Sequence, residues 1–241
     1  MQLIITIGAL FFGLGIFFFY TNISFFRGSS SFLAYRMLRG IICIAYLILM
    51  LVFQKKEPNF LLAYFLLFYG VSSLMTIWYE NNFLATLSMG INAFSFFFLI
   101  IAIFPKIRKM KIDSFVILSS VIMLLFNGFL VYQFLNMFKE MTQSSIHFIF
   151  IVLSTFGIVF VSFLAILYNH KYSTNNSVLF SSFIFILLFA EVFRGIAYYD
   201  IAYGDFSAHF ARFLLIVSLS FLTNYCFKTK NDDELLNTRL F

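Results

Sequence analysis

The chain of 241 residues is 62% hydrophobic and only 11% charged, against roughly 45–50% and 25% for soluble domains, and its mean hydropathy is +0.98. A water-soluble fold cannot hide that much apolar surface, so the sequence reads as a membrane protein. The net charge of +6 does not mark a nucleic-acid partner, because the basic residues are scattered among short connections rather than gathered on one face.

A bilayer core about 30 Å thick needs about 20 apolar residues of helix at about 1.5 Å per residue. Eight such runs stand between polar breaks: Leu3–Tyr20, Leu33–Phe53, Phe60–Tyr79, Phe83–Phe104, Phe115–Leu135, Ile146–Tyr168, Val178–Tyr199 and Ala208–Phe227. They are long and unbroken, whereas barrel strands alternate over about ten residues, so helices are expected. The first run has no basic segment before it and no small-residue cleavage site after it, and reads as a retained helix rather than a secretion signal. The second carries Arg36 and Arg39 in its first turns. Pro58 and Pro105 lie at the ends of runs, and Cys43 and Cys226 fall in different spans, with no disulfide or metal pair expected. Arg39-Gly40-Ile41 echoes Arg194-Gly195-Ile196, but three residues are too few for an internal repeat.

Small and weakly polar residues recur at helical spacing: Ala9 and Gly13; Ser72, Ser73 and Thr76; Ser88, Asn92 and Ser95; Ser120 and Asn127. In lipid such residues let helices approach and exchange hydrogen bonds, and packing is their expected role.

Lysine and arginine are retained on the cytoplasmic side of a membrane. One set of connections carries Lys55, Lys56, Lys106, Arg108, Lys109, Lys111, Lys171, Lys228, Lys230 and Arg239; the opposite set has only Arg27 and Lys139 clearly in loops. The expected fold is therefore an all-α polytopic transmembrane helix bundle of about eight spans with both termini cytoplasmic. Residues 1–227 form a single transmembrane domain and 228–241 a short cytoplasmic tail, in a bacterial inner membrane.

Charge inside a span costs several kcal/mol unless paired or hydrated, so intramembrane charge is where function is sought. Glu191 and Arg194, three apart, share one helical face and are suited to an ion pair. The expected orientation puts Glu191 roughly 10 Å below the outer end of its helix. It brings Arg36, Arg39, His209 and Arg212 to the same outer side, with Asp200 and Asp205 in the adjoining loop. Arginine's planar fork suits phosphate or carboxylate, so the cluster Arg36, Arg39, Glu191, Arg194, Asp200, His209 and Arg212 is a candidate site for an anionic lipid headgroup or an acidic partner segment. The competing expectation is that these charges lock helices together, with the spare arginines reaching to water.

Catalytic chemistry has little to work with. Glu191 is the one carboxylate well inside a span, and its arginine neighbour ties it into an ion pair. His147, His170 and His209 stand apart, with no metal-ligand spacing, no glycine-rich phosphate loop and no nucleophile elbow, so no metal or cofactor is expected. In size and span number the chain resembles the YhhN-type lysoplasmalogenases. Tyr69-Gly70-Val71-Ser72 stands where those proteins carry Gly-Asp, and Ala190-Glu191 is similar to their Ser-Asp pair, although the first aspartate is absent here. That resemblance implies an intramembrane lipid hydrolase; the span number and the position of Glu191 would then put Glu191 in acid–base work, with Arg36, Arg39 and Arg194 on phosphate. The run from Glu191 through Arg194, Gly204 and His209 also resembles the arginine and histidine segment of the exosortase transpeptidases, whose outward cysteine nucleophile has no counterpart in Cys43 or Cys226. The reading carried forward is a non-catalytic binding or assembly subunit of a membrane complex, with a lipid hydrolase second. A transporter or sensor is third, because no proline breaks a span.

Overall fold

The computed structural model describes residues 2–27, 31–53, 59–108, 122, 128–129, 131–133, 135–137, 139, 142, 144–198 and 204–227. Most of the fifth run, Asp200, the basic residues at 55, 56, 109, 111, 228, 230 and 239, and the 228–241 tail lie outside them, as do the side chains of Arg27 and Asp205.

Among the described residues the secondary structure is helical. The continuous helices are α1 (Gln2–Arg27), α2 (Ser31–Phe53), α3 (Phe60–Met75), α4 (Asn82–Ile107), α5 (Ser145–Tyr172), α6 (Asn175–Tyr198) and α7 (Gly204–Phe227). The described residues between 122 and 139 are helical too. The starts and stops follow local chemistry. Asn59 caps α3 by accepting from the Leu62 N–H at 3.4 Å, and Asn81 caps α4 by accepting from the Phe83 and Leu84 N–H groups at 3.0 and 3.4 Å. The α-helix of the third run stops at Met75 and tightens into a 3₁₀ turn at Thr76–Trp78. Between α5 and α6 the chain turns through Ser173 in the left-handed region, with φ 45°, and the Thr174 hydroxyl then accepts from the Ser177 N–H at 3.2 Å to open α6. Pro105 sits in the last turn of α4, where its missing N–H leaves the Ile101 carbonyl without its helical donor.

Five helical segments are long and apolar enough to cross a membrane: Phe60–Trp78, Asn82–Ile107, Ser145–Tyr172, Asn175–Tyr198 and Phe206–Cys226. In α1 the shorter apolar stretch Thr6–Phe18 stands beside them. Their outer faces are aromatic and aliphatic, with Phe11, Phe97, Phe104, Phe156 and Phe189 all exposed, a surface suited to acyl chains rather than water.

The helices pack in chain order, each against its predecessor, and α7 closes on α1, so the described bundle is a ring. Neighbours alternate in direction except α4 and α5. These two run parallel: Thr86 meets His147 near their starts, Asn92 donates to Ser154 about two turns on, and Lys106 reaches Tyr168 near their ends. The chain thus leaves α4 at one end of the bundle and enters α5 at the other. One end carries Arg36, Arg39, Arg194 and Arg212, and the opposite end carries Lys106 and Lys171. The Asn224 amide donates to Thr6 at 2.6 Å, which sets the beginning of α1 and the end of α7 together at the lysine end.

Inside the ring, Phe65, Phe96, Phe183 and Leu187 are fully buried, and Phe65 meets Phe183 edge-on across from α3 to α6 at 5.8 Å. Small polar residues weld neighbours. Ser72 and Ser88 each donate to the other's carbonyl at 2.9 Å, and Ser218 donates to the Phe183 carbonyl at 3.0 Å. Tyr46 joins three helices by donating to the Ala9 carbonyl at 2.6 Å while lying 2.9 Å from Ser220. Gly13 makes that approach feasible, since a Cβ there would stand 2.5 Å from the Tyr46 hydroxyl and 2.6 Å from Ile216. Tyr46→Phe keeps the ring and deletes the bond, so it should lower stability by on the order of 1 kcal/mol. Gly13→Leu should lower it further. Thermal unfolding in detergent measures both.

Candidate functional site

The arginine end of the ring is built on three helical faces. On α6, Glu191, Arg194 and Tyr198 recur at spacings of three and four, the period of one helix stripe. On α2, Arg36 and Arg39 do the same. On α3, Tyr69 points inward and is fully buried.

These faces meet on one carboxylate. Glu191 Oε1 accepts from Arg39 Nη2 at 2.5 Å and from the Tyr69 hydroxyl, while Oε2 accepts from Arg194 Nη2 at 2.5 Å. The side chains of Arg39, Glu191 and Arg194 are only 3%, 9% and 7% exposed. The helices α2 and α6 are not direct neighbours in the ring, so this bridge passes through its interior. The Arg39 guanidinium also lies over the Tyr69 ring at 4.7 Å. Asn92 of α4 stands beside the same carboxylate and donates to Ser154 of α5 at 2.8 Å.

A second layer lies one turn nearer the end. Arg36 donates to Glu80 at 2.7 Å and to the Ile77 carbonyl at 3.3 Å, with its guanidinium over the rings of Tyr79 and Tyr198 at 5.8 and 5.6 Å. Those two rings stack at 5.2 Å, and the Tyr79 hydroxyl is 2.8 Å from His147 Nε2.

The structure thus brings Arg39, Glu191 and Arg194 into contact and sets Arg36 beside them on a different partner, Glu80. Arg212 is buried on α7, close enough to act electrostatically on Cys43 of α2. His209 is exposed, edge-on to Phe17 at 6.2 Å. Asp200 lies outside the described residues. Tyr69, Asn92, Glu80, Tyr79 and His147 were not among the candidates. Tyrosine and asparagine read as ordinary packing residues, and His147 stood alone in sequence. Glu80 did carry a signal, as the one acid in the connection between the third and fourth runs and on the same side as Arg36.

The interior layer holds two guanidinium groups against one carboxylate. Arg39 Nη1, Arg194 Nε and Nη1, and the Tyr198 hydroxyl are buried with no hydrogen-bond partner among the described residues. Buried donors are almost always satisfied, and each left open costs about 1–3 kcal/mol. Both Glu191 oxygens, in contrast, are engaged. Among the described residues no three His, Cys, Asp or Glu side chains group as metal ligands. The arrangement is equipped to hold an anion.

No protein-family model matches the chain, and neither does any curated protein or solved structure. The likenesses to lysoplasmalogenases and exosortases rest on the short stretches quoted above.

Slight burial raises the Glu80 carboxyl, but its own backbone N–H and the Arg36 guanidinium outweigh that and hold it below the ordinary value of 4.5. A carboxyl depressed by folding stabilises the fold above its unfolded pKa and stops doing so as pH falls through the folded one. Glu80 is largely exposed, so screening keeps its contribution below about 1 kcal/mol. The unfolding midpoint of Glu80→Gln should therefore fall slightly below wild type at pH 7, and the difference should disappear only below pH 4.5. A thermal series across that window reads it.

Proposed function

We propose that the protein is an integral membrane protein of eight spans, with both termini in the cytoplasm of a bacterial cell. It serves as a non-catalytic binding or assembly subunit that holds an anionic group at the arginine end of its ring. The observation that carries the reading is the buried excess of guanidinium over carboxylate, with open donors on Arg39 and Arg194. In the interior of a membrane bundle such a surplus calls for an anion from outside the chain, either a lipid headgroup or an acidic segment of a partner. The topology has independent support. Lys106 and Lys171 mark the lysine end as cytoplasmic by the positive-inside rule, the chain's first and last described helices begin and end there, and the parallel direction of α4 and α5 is the one that eight alternating crossings require.

Purification in mild detergent followed by native mass spectrometry tests the reading. Wild-type protein should carry a tightly held anionic lipid or an acidic companion, and Arg194→Lys should lose most of it. A bare wild-type protein would overturn the proposal.

One contact favours the second reading, an intramembrane lipid hydrolase. Tyr69 and Glu191, from the two stretches that resemble the lysoplasmalogenases, are hydrogen-bonded. On that reading Glu191→Gln abolishes lipid turnover by the purified protein. Turnover that survives the substitution rules Glu191 out of the chemistry.

A further inference from the structure

We infer that the anion held at the arginine end is a monoanionic phosphodiester whose head alcohol carries no ammonium, the chemistry of a phosphatidylglycerol-type lipid. The inference rests on the binding reading above and narrows it.

Charge comes first. Arg39 and Arg194 share the single carboxylate of Glu191, and Arg36 is matched by Glu80. Among the described residues these ion pairs leave one positive charge on the Arg39–Glu191–Arg194 cluster. A phosphodiester cancels it, whereas a phosphate monoester, at about −1.5 to −2 at neutral pH, overfills it. Shape comes second. The open groups are Arg39 Nη1 on α2 and Arg194 Nε, Arg194 Nη1 and the Tyr198 hydroxyl on α6. They approach from helices that are not ring neighbours, and a tetrahedral oxyanion accepts from several directions where a carboxylate offers one plane.

The third argument concerns what the site refuses. An ammonium or choline headgroup needs a carboxylate or an open aromatic face. Glu191 and Glu80 are both engaged by arginine, and the Arg36 guanidinium already occupies the faces of Tyr79 and Tyr198. The unpartnered acceptor beside the carboxylate, Asn92 Oδ1, is uncharged. An uncharged head alcohol meets no such gap.

The full chain, stripped in detergent and equilibrated with mixed micelles containing equal phosphatidylglycerol, phosphatidylethanolamine and phosphatidylcholine, should retain mainly phosphatidylglycerol by native mass spectrometry. Tyr198→Phe removes one donor and no charge, and should weaken that retention about tenfold, the worth of one charge-assisted hydrogen bond. Arg194→Lys keeps the charge on Glu191 but loses the fork, and should weaken it more. Equal retention of the three lipids, or retention unchanged in Tyr198→Phe, overturns the inference. Preferential capture of inorganic phosphate, or of a poly-glutamate peptide, in place of the lipid also overturns it, while the broader binding reading survives. Protein bare in every arm defeats both.

Discussion

The rest of the bundle depends on the Glu191 carboxylate. Moving an arginine out of water costs several kcal/mol unless it finds a partner of good geometry, and α2 brings two arginines into the ring within its first turns. Without Glu191 and Glu80 to receive them, α2 would be the element least fitted to lipid. Because α2 and α6 are not neighbours, the Arg39–Glu191 bond is a strut across the interior. It fixes the separation of the two sides at the arginine end, much as Phe65 against Phe183 fills the layer beneath. Tyr69 completes the strut from α3, its phenol on the carboxylate and its ring under the Arg39 guanidinium.

The opposite end is held differently. There Lys106 donates to the Tyr225 hydroxyl at 3.0 Å and lies over the rings of Tyr168 and Tyr225 at 5.1 and 5.6 Å, and Lys171 donates to the Lys106 carbonyl at 2.8 Å. Lysine is a flexible point charge that settles among phenol oxygens and carbonyls near water, whereas arginine's rigid fork fits carboxylates deeper in. The two ends therefore differ in chemistry as well as in charge. Lysines bind the lysine end to itself, while the arginine end keeps a fork with unused prongs.

Much of this was legible in sequence. Run length alone gave the helices, because a long unbroken apolar stretch satisfies its own backbone in only one way. The Glu191–Arg194 pair followed from spacing on one helix. Contacts between helices were not legible. That Arg39 reaches Glu191 while its near neighbour Arg36 turns to Glu80 depends on the ring order and on the rotation of α2, which hydrophobicity all round the helix does not specify. That α4 packs against α5 was hidden for the same reason, although alternation of the eight runs does make the fourth and the sixth parallel. The α3 boundary shifted because Thr76 turns its hydroxyl back to the Ser73 carbonyl at 2.6 Å, which favours a tightened last turn over continued helix.

The composition of the arginine end bears on whether it is only structural. A purely structural lock between α2 and α6 needs one guanidinium and one carboxylate. A second buried guanidinium adds desolvation without adding a partner, and replacing such charges by apolar side chains is often neutral or stabilising by about 1–4 kcal/mol. Arg39 is the member that reaches across from α2, and Arg194, on the same helix as Glu191, adds nothing to a bond between the two helices. Both are present, both are buried, and each keeps donors that no described side chain fills. Excess of that kind destabilises an empty bundle and becomes favourable once an oxyanion joins the two forks. The guanidinium surplus is therefore better explained by something the protein holds than by what holds the protein together.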